Sequence, residues 1–319
     1  MSSYAGRLSS LITQYLGLQM ENALASPDTE EVYVNPDLQV RLISYTHGRR
    51  RLPVKLEAQG IEAFLRAVAT TTSKAFDSHH PALAAALMHE RAGKCRIQGF
   101  IPPITAGPAF VIRKPGLRTP DLETYVERGS LSAQGLAILL TAIQERKNII
   151  IAGPTASGKT TLCNAILNAI TDLFPGDRLV ILEDTPELRI SAKDCLRLQT
   201  TGTINLRELV KHSLRTTPSR IIIGEVRDHA AKDLLDAWIT GHPGGCGTVH
   251  GENCESALER LSDLAREGAG GVDQRPLVLR AVNLVVLIIG FGQDRRVVEI
   301  ARPVAMSLTG FTFDYLLRA

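Results

Sequence analysis

The chain has 319 residues, 44% of them apolar, with 36 Lys+Arg against 33 Asp+Glu and a net charge of +3. That composition excludes a disordered chain and gives material for two folded domains. The apolar run Leu284 to Ile289 falls far short of the ~20 residues that span a bilayer, and the N-terminus (MSSYAGRLSS) lacks a signal-peptide core, so a cytoplasmic location is expected. Residues 1–130 hold 15 basic against 12 acidic groups and the remainder 21 against 21, too slight an excess to mark sequence-specific nucleic-acid binding. Five scattered cysteines without C-x-x-C spacing point to reduced thiols, not a disulfide framework or zinc site.

In chain order, residues 5–25 put Leu8, Leu11, Ile12, Tyr15, Leu18 and Leu24 on one stripe, which predicts an amphipathic helix ended by Ser26-Pro27-Asp28. Stretches Glu31 to Val34, Val40 to Tyr45 and Leu52 to Leu56, punctuated by Asn35-Pro36-Asp37 and His47-Gly48, predict a small antiparallel sheet. Between them Arg49-Arg50-Arg51 reads as a solvated loop that could touch an anionic membrane. Helices are expected over 60–76 and 79–88, then a strand pair, Cys95 to Phe100 and Ala109 to Arg113, around Ile101-Pro102-Pro103. This makes an α+β unit over 1–120. Lys114-Pro115-Gly116 breaks it, 119–128 reads as a short helix, and 121–131 is expected to be a linker.

From 132 to 319 the pattern alternates. Helices are expected over 132–146, 159–171, 205–216, 229–240 and 253–267, and strands over 148–152, 178–183, 195–199, 220–224 and 246–249. Such alternation predicts a mostly parallel α/β sheet covered on both faces. Asn283 to Ile289, Arg296 to Ala305 and Phe311 to Leu317 follow too closely for helical crossovers and read as an antiparallel edge.

Within this half, Gly153-Pro154-Thr155-Ala156-Ser157-Gly158-Lys159-Thr160 has the G-x-x-x-x-G-K-[ST] spacing between a strand and a helix. Glycines at both ends let the backbone N–H groups converge on a phosphate at the positive end of the helix. Lys159 would reach the β- and γ-phosphates, the Thr160 hydroxyl would sit on Mg²⁺, and Thr161 completes the binding stretch. ATP and Mg²⁺ are therefore the expected ligands. Glu183, Asp184, Glu187 and Glu225 follow strands and would gather on the same sheet edge. Of these, Glu183, Asp184 and Glu225 are candidates for Mg²⁺ or its waters. Gly224 stands where an acid often precedes such a glutamate, so Glu187 and Glu225 share the task of activating water. His250 ends another strand there and is a candidate phosphate sensor, whereas His242 in the preceding turn reads as structural.

The four stretches GPTASGKTT, LEDTPEL, IIIGEVRD and TGHPGGCGTVH, in that order, resemble the secretion NTPase superfamily. Asp233 to Trp238 followed by TGHPGG, with Pro102-Pro103 and Ile112-Arg113-Lys114-Pro115, look like its VirB11/TrbB-like ATPases of type IV secretion and conjugation. The resemblance implies a RecA-like P-loop NTPase core behind a smaller α+β domain. It also implies a homo-hexameric ring, peripheral on the inner face of the bacterial inner membrane, whose ATP turnover works on secretion-channel proteins. Arg96 and Arg113 match arginines that close over the γ-phosphate, and Arg227 matches a phosphate-sensing one. Ala156 departs from the usual glycine and Ile239 from a polar residue. The alternatives are a type IV pilus or type II secretion motor, a DNA-strand handler, which the 5% aromatic content disfavours, and a nucleotide-switched scaffold.

Overall fold

In the computed structural model, which describes residues 6–44, 47–115, 120–307 and 310–318, the N-terminal apolar stripe folds as two helices, α1 (Arg7–Leu16) and α2 (Leu18–Ala25). Gly17 divides them: its φ of +86° is left-handed, so one continuous helix cannot form. The break turns Leu18 outward and lets Met20 and Leu24 join Leu8, Ile12 and Leu16 in the core. Tyr45 and Gly116, the ends of one expected strand and of one expected breaker, lie outside the described residues.

The chain divides into two units, Met1–Leu117 and Arg118–Ala319. In the first, β1 (Thr29–Val34), β2 (Gln39–Ser44), β3 (Gly48–Lys55), α3 (Ala58–Thr71), β4 (Ala82–His89), β5 (Gly93–Phe100) and β6 (Ala109–Arg113) follow the two helices. The strands form one antiparallel sheet of order β3-β2-β1-β6-β5-β4. Residues 79–88, expected to be helical, instead supply β4. The alanines of ALAAALMH favour a helix, but Leu83, Leu87 and His89 are buried at a strand's alternate spacing, and pairing with β5 overrides propensity. Arg49-Arg50-Arg51, expected in a loop, lies within β3.

Period-two alternation places Val32, Val34, Val40, Leu42, Ile97, Phe110 and Ile112 in the core with the three helices. The opposite face carries cross-strand rows Arg51, Arg41, Tyr33 and Val111, and Glu31, Arg113 and Arg96. An open cavity of about 580 Å³ on this unit is lined by Glu31, Tyr33, Asn35, Arg41, Arg49, Arg50, Arg51 and Val111.

The second unit runs α4 (Leu122–Glu127), α5 (Ala133–Gln144), β7 (Ile149–Gly153), α6 (Lys159–Leu173), β8 (Leu179–Glu183), β9 (Cys195–Gln199), α7 (Leu206–Ser213), β10 (Arg220–Ile223) and α8 (Ala230–Ile239). Then come β11 (Cys246–His250), α9 (Cys254–Gly268), α10 (Arg275–Ala281), β12 (Leu284–Ile289), β13 (Arg296–Ser307) and β14 (Gly310–Arg318). The sheet order is β14-β13-β12-β7-β11-β10-β8-β9. Strands β12 to β9 along that order are parallel, which is why β7 (IIIAG) and β8 (LVILE) are buried throughout. Only β13 and β14 are antiparallel. The antiparallel edge expected of the last three strands is present, β12 with β13 and β13 with β14, and β12 also joins this edge to the parallel strands by pairing with β7; α10, before β12, was not anticipated.

The stretch 121–131, expected to be a linker, packs into this unit: Leu122, Tyr125 and Leu131 are buried with α5 and α6. Side-chain caps fix several helix starts, including the reciprocal Asn205/Glu208 box on α7. Trp238 on α8 is 2% exposed, and its Nε1 donates to the Ile221 carbonyl at 3.1 Å. Trp238→Ala should therefore cost about 3–5 kcal/mol, read as a lowered urea midpoint; an unchanged midpoint would remove Trp238 as an anchor of this core. Among the described residues, no helix is long and apolar enough to cross a membrane.

Candidate active site

Strands β7, β11, β10 and β8 are neighbours in the sheet, so the residues following their C-terminal ends share one edge. The loop from β7 to α6 occupies this edge. A Cβ on Gly153 would stand 2.2 Å from the Ile288 carbonyl oxygen, so only glycine fits the approach to β12. Gly158, at φ +96°, turns the chain into α6 as its N-cap. The exposed Pro154 and Thr155 lie between them, and Ser157 is buried with its Oγ lacking a hydrogen-bond partner among the described residues. The start of a 15-residue helix under this loop supplies the positive dipole end that an anion needs.

Ala156 has φ +64°. For a residue with a Cβ this left-handed conformation costs about 1–2 kcal/mol, so the penalty foreseen for alanine in place of glycine falls on a real positive-φ position. Arg295, just before β13, donates from Nε and Nη2 to the Ala156 carbonyl at 3.2 and 3.0 Å. Sequence reasoning missed this arginine because it lies 139 positions from Ala156 and belongs to no motif.

Lys159 is 8% exposed and donates from Nζ to the Gly153 and Pro154 carbonyls at 2.8 and 2.9 Å. Its Nζ also lies 3.3 Å from His250 Nδ1, while His250 Nε2 lies 2.8 Å from Glu225 Oε1. The imidazole thus bridges the two groups, with Nδ1 facing the ammonium and Nε2 facing the carboxylate. Glu225 Oε2 accepts from the Arg227 guanidinium. Burial pulls the Glu225 carboxyl upward, but the Arg227 hydrogen bond and the charges of Arg227, His250 and Lys159 outweigh it and hold the group below the ordinary carboxylate range. Lys159, His250, Glu225 and Arg227 thus form one connected line.

A second line runs from α6 to β8. The Thr160 hydroxyl lies 3.3 Å from Glu187 Oε2. Glu183, 4% exposed, accepts through Oε1 from the backbone N–H groups of Glu187 and Leu188, both at 2.7 Å, and through Oε2 from Arg197 at 2.9 Å. Both Glu183 oxygens hold the 184–188 loop. Asp184 is exposed, and Thr161 is half-buried on the first turn of α6. His242 Nδ1 meets the Pro218 carbonyl at 3.1 Å, a structural contact.

Among the described residues, no group of three or more His, Cys, Asp or Glu could hold a metal by itself. A helix-start hydroxyl beside one carboxylate is instead the partial oxygen set that suits Mg²⁺, whose remaining positions are filled by phosphates and water. In the first unit, Arg96 and Arg113 face each other across β5 and β6. Arg113 also lies opposite Glu31 and 3.6 Å from Glu30. Two like charges in direct register repel.

A family model described as "Type II/IV secretion system protein" matches residues 83–289. The conjugal transfer protein TrbB of Rhizobium radiobacter is 38% identical over 294 residues, covering 92% of this chain and 90% of that protein. Protein VirB11 of Agrobacterium fabrum is 33% identical over 184 residues, 55% of this chain and 52% of that one. In fold, the chain matches the Legionella pneumophila ATPase DotB with a TM-score of 0.63 at 16% identity, covering 93% of this chain and 81% of DotB.

Proposed function

The chain belongs to the type II/IV secretion system protein family, among the type IV secretion and conjugal-transfer ATPases related to TrbB and VirB11, and from that premise we propose the following mechanism. ATP binds with its phosphates over Gly153 to Thr161, is hydrolysed there, and drives motion of the first unit relative to the second. The observation that carries this reading is the line from Lys159 through His250 to Glu225, which joins a phosphate-loop lysine to an ionised carboxylate at the same sheet edge. Lys159 binds the terminal phosphates. Glu225 orients and deprotonates the attacking water, and His250 relays the state of the γ-phosphate between the two.

Thr160 would hold Mg²⁺, with Glu187 and the exposed Asp184 completing its shell directly or through water. The ion supplies neutralisation of charge on the phosphate oxygens. Glu183 and Arg197 keep Glu187 in place. Hydrolysis of ATP by the purified chain should be abolished by excess EDTA and restored by Mg²⁺. Turnover indifferent to EDTA would contradict the metal assignment, and absence of turnover with Mg²⁺ would contradict the enzyme reading.

Arg96 and Arg113 are proposed to approach the γ-phosphate, where their charge would stabilise phosphoryl transfer. Arg113→Ala should lower kcat about 10²-fold or more with ATP affinity largely kept; full turnover would refute the role. Arg227 is assigned to hold Glu225 ionised. The Glu225 carboxyl lies below the ordinary carboxylate range, so it remains charged as pH falls through that range and loses its charge only further down. Removing Arg227 deletes the chief lowering influence and leaves burial, which raises the group. The acid limb of the pH–kcat profile should therefore move upward in Arg227→Ala; an unmoved limb would dissociate Arg227 from Glu225.

We also assign a homo-hexamer, contact with secretion-channel proteins, and a peripheral place on the inner face of the bacterial inner membrane, where the Arg49 to Arg51 edge would meet anionic lipid. Sizing with ATP and Mg²⁺ should give six copies. A monomer at micromolar concentration would count against the ring.

A further inference from the structure

The β12–β13 turn is built around the phosphate loop. Gly290, at φ +91°, makes that turn sharp: a Cβ there would meet the Asp294 carbonyl oxygen at 2.2 Å. The turn delivers Arg295, whose guanidinium carbon lies 5.8 Å from the Phe291 ring centroid, a cation–π distance. Gly158 makes room for the arginine stem, since a Cβ there would stand 3.1 Å from Arg295 Cδ. The guanidinium then donates twice to one acceptor, the Ala156 carbonyl.

That carbonyl belongs to the peptide between Ala156 and Ser157. In a trans peptide, C=O and N–H point in opposite directions. Turning the oxygen toward Arg295 therefore turns the Ser157 N–H back into the loop, where it lies 3.3 Å from the Pro154 oxygen. The residue at this bend is alanine at φ +64°, so the loop is held in a conformation that its own chemistry disfavours. A forked, charged donor is well suited to offset that preference.

We propose that Arg295 is a positioning residue that clamps the left-handed Ala156 peptide and keeps the phosphate loop in its binding shape. The role rests on the ATP-binding reading of this loop and extends it to a residue outside every motif. It acts on affinity through the loop, without touching the nucleotide.

The test compares wild type, Arg295→Ala, Arg295→Lys, Ala156→Gly and the double variant Arg295→Ala/Ala156→Gly. Titration with a fluorescent ATP analogue and Mg²⁺ should show about tenfold weaker binding in Arg295→Ala. Arg295→Lys, which cannot donate as a fork, should fall between. In the double variant most of the loss should disappear, because glycine occupies φ > 0 without penalty and no longer needs the clamp. Hydrogen exchange at the loop amides, measured without nucleotide, should quicken in Arg295→Ala and return toward wild type in the double variant. Wild-type affinity and exchange in Arg295→Ala would overturn the clamp, as would a double variant no better than Arg295→Ala. A wild-type chain that binds no analogue would defeat the ATP reading, while the exchange rates would still decide the clamp.

Discussion

Glu225→Gln should lower ATP turnover by about 10²–10⁴-fold while nucleotide binding survives. Glutamine keeps the size of the side chain and an oxygen to face His250 Nε2, but it cannot take a proton from water. Glu225 is also the carboxylate whose charge is protected, by Arg227, His250 and Lys159, against the burial that opposes it. The bound but unreacted nucleotide should be recoverable as ATP after gel filtration. Glu187→Gln separates the two acids, because Glu187 contacts Thr160 and sits on amides held by Glu183. It should weaken Mg²⁺ dependence more than it lowers the maximal rate. A Glu187→Gln enzyme that is dead at saturating Mg²⁺, beside an active Glu225→Gln enzyme, would exchange their roles.

Lys159→Ala should remove binding itself. Lys159 is 8% exposed, and its ammonium is already directed at the loop's Gly153 and Pro154 carbonyls, so it is placed to donate to phosphate oxygens without leaving the cradle. Two charge-assisted bonds lost amount to about 3 kcal/mol, or about 100-fold in Kd. The variant should keep the wild-type circular dichroism spectrum, because no core packing rests on Lys159. Unaltered ATP affinity in a folded Lys159→Ala protein would show that the loop is not the phosphate site.

The core of this site was legible because its residues are local in sequence or punctuate strands. The phosphate loop announces itself in eight consecutive residues, Glu225 follows the apolar run Ile221 to Ile223, and His250 ends a short strand after a Gly-rich turn. Less legible were residues whose meaning depends on pairing. Ala82 to His89 reads as helix until β5 supplies its partner, and that β12 pairs with β7 as well as with β13 is specified by no local pattern. Glu183 reads as a candidate ligand because it ends a strand beside the loop. Its occupation by two backbone amides and Arg197 depends on a turn and on β9, which no local pattern specifies. Arg295 is the extreme case: neither its spacing nor its neighbours distinguish it from a surface charge, and only the approach of β12 to Gly153 brings it to the loop.

The central claim is that one ATP is shared between the Gly153 to Thr161 cradle and guanidiniums of the N-terminal unit. A structure of the chain with Mg²⁺ and a non-hydrolysable ATP analogue tests it most directly. The account predicts the triphosphate on the cradle with Arg96 or Arg113, from the same or a neighbouring subunit, at hydrogen-bond distance from the γ-phosphate. A triphosphate seated on the cradle with both arginines out of reach in every subunit would contradict it.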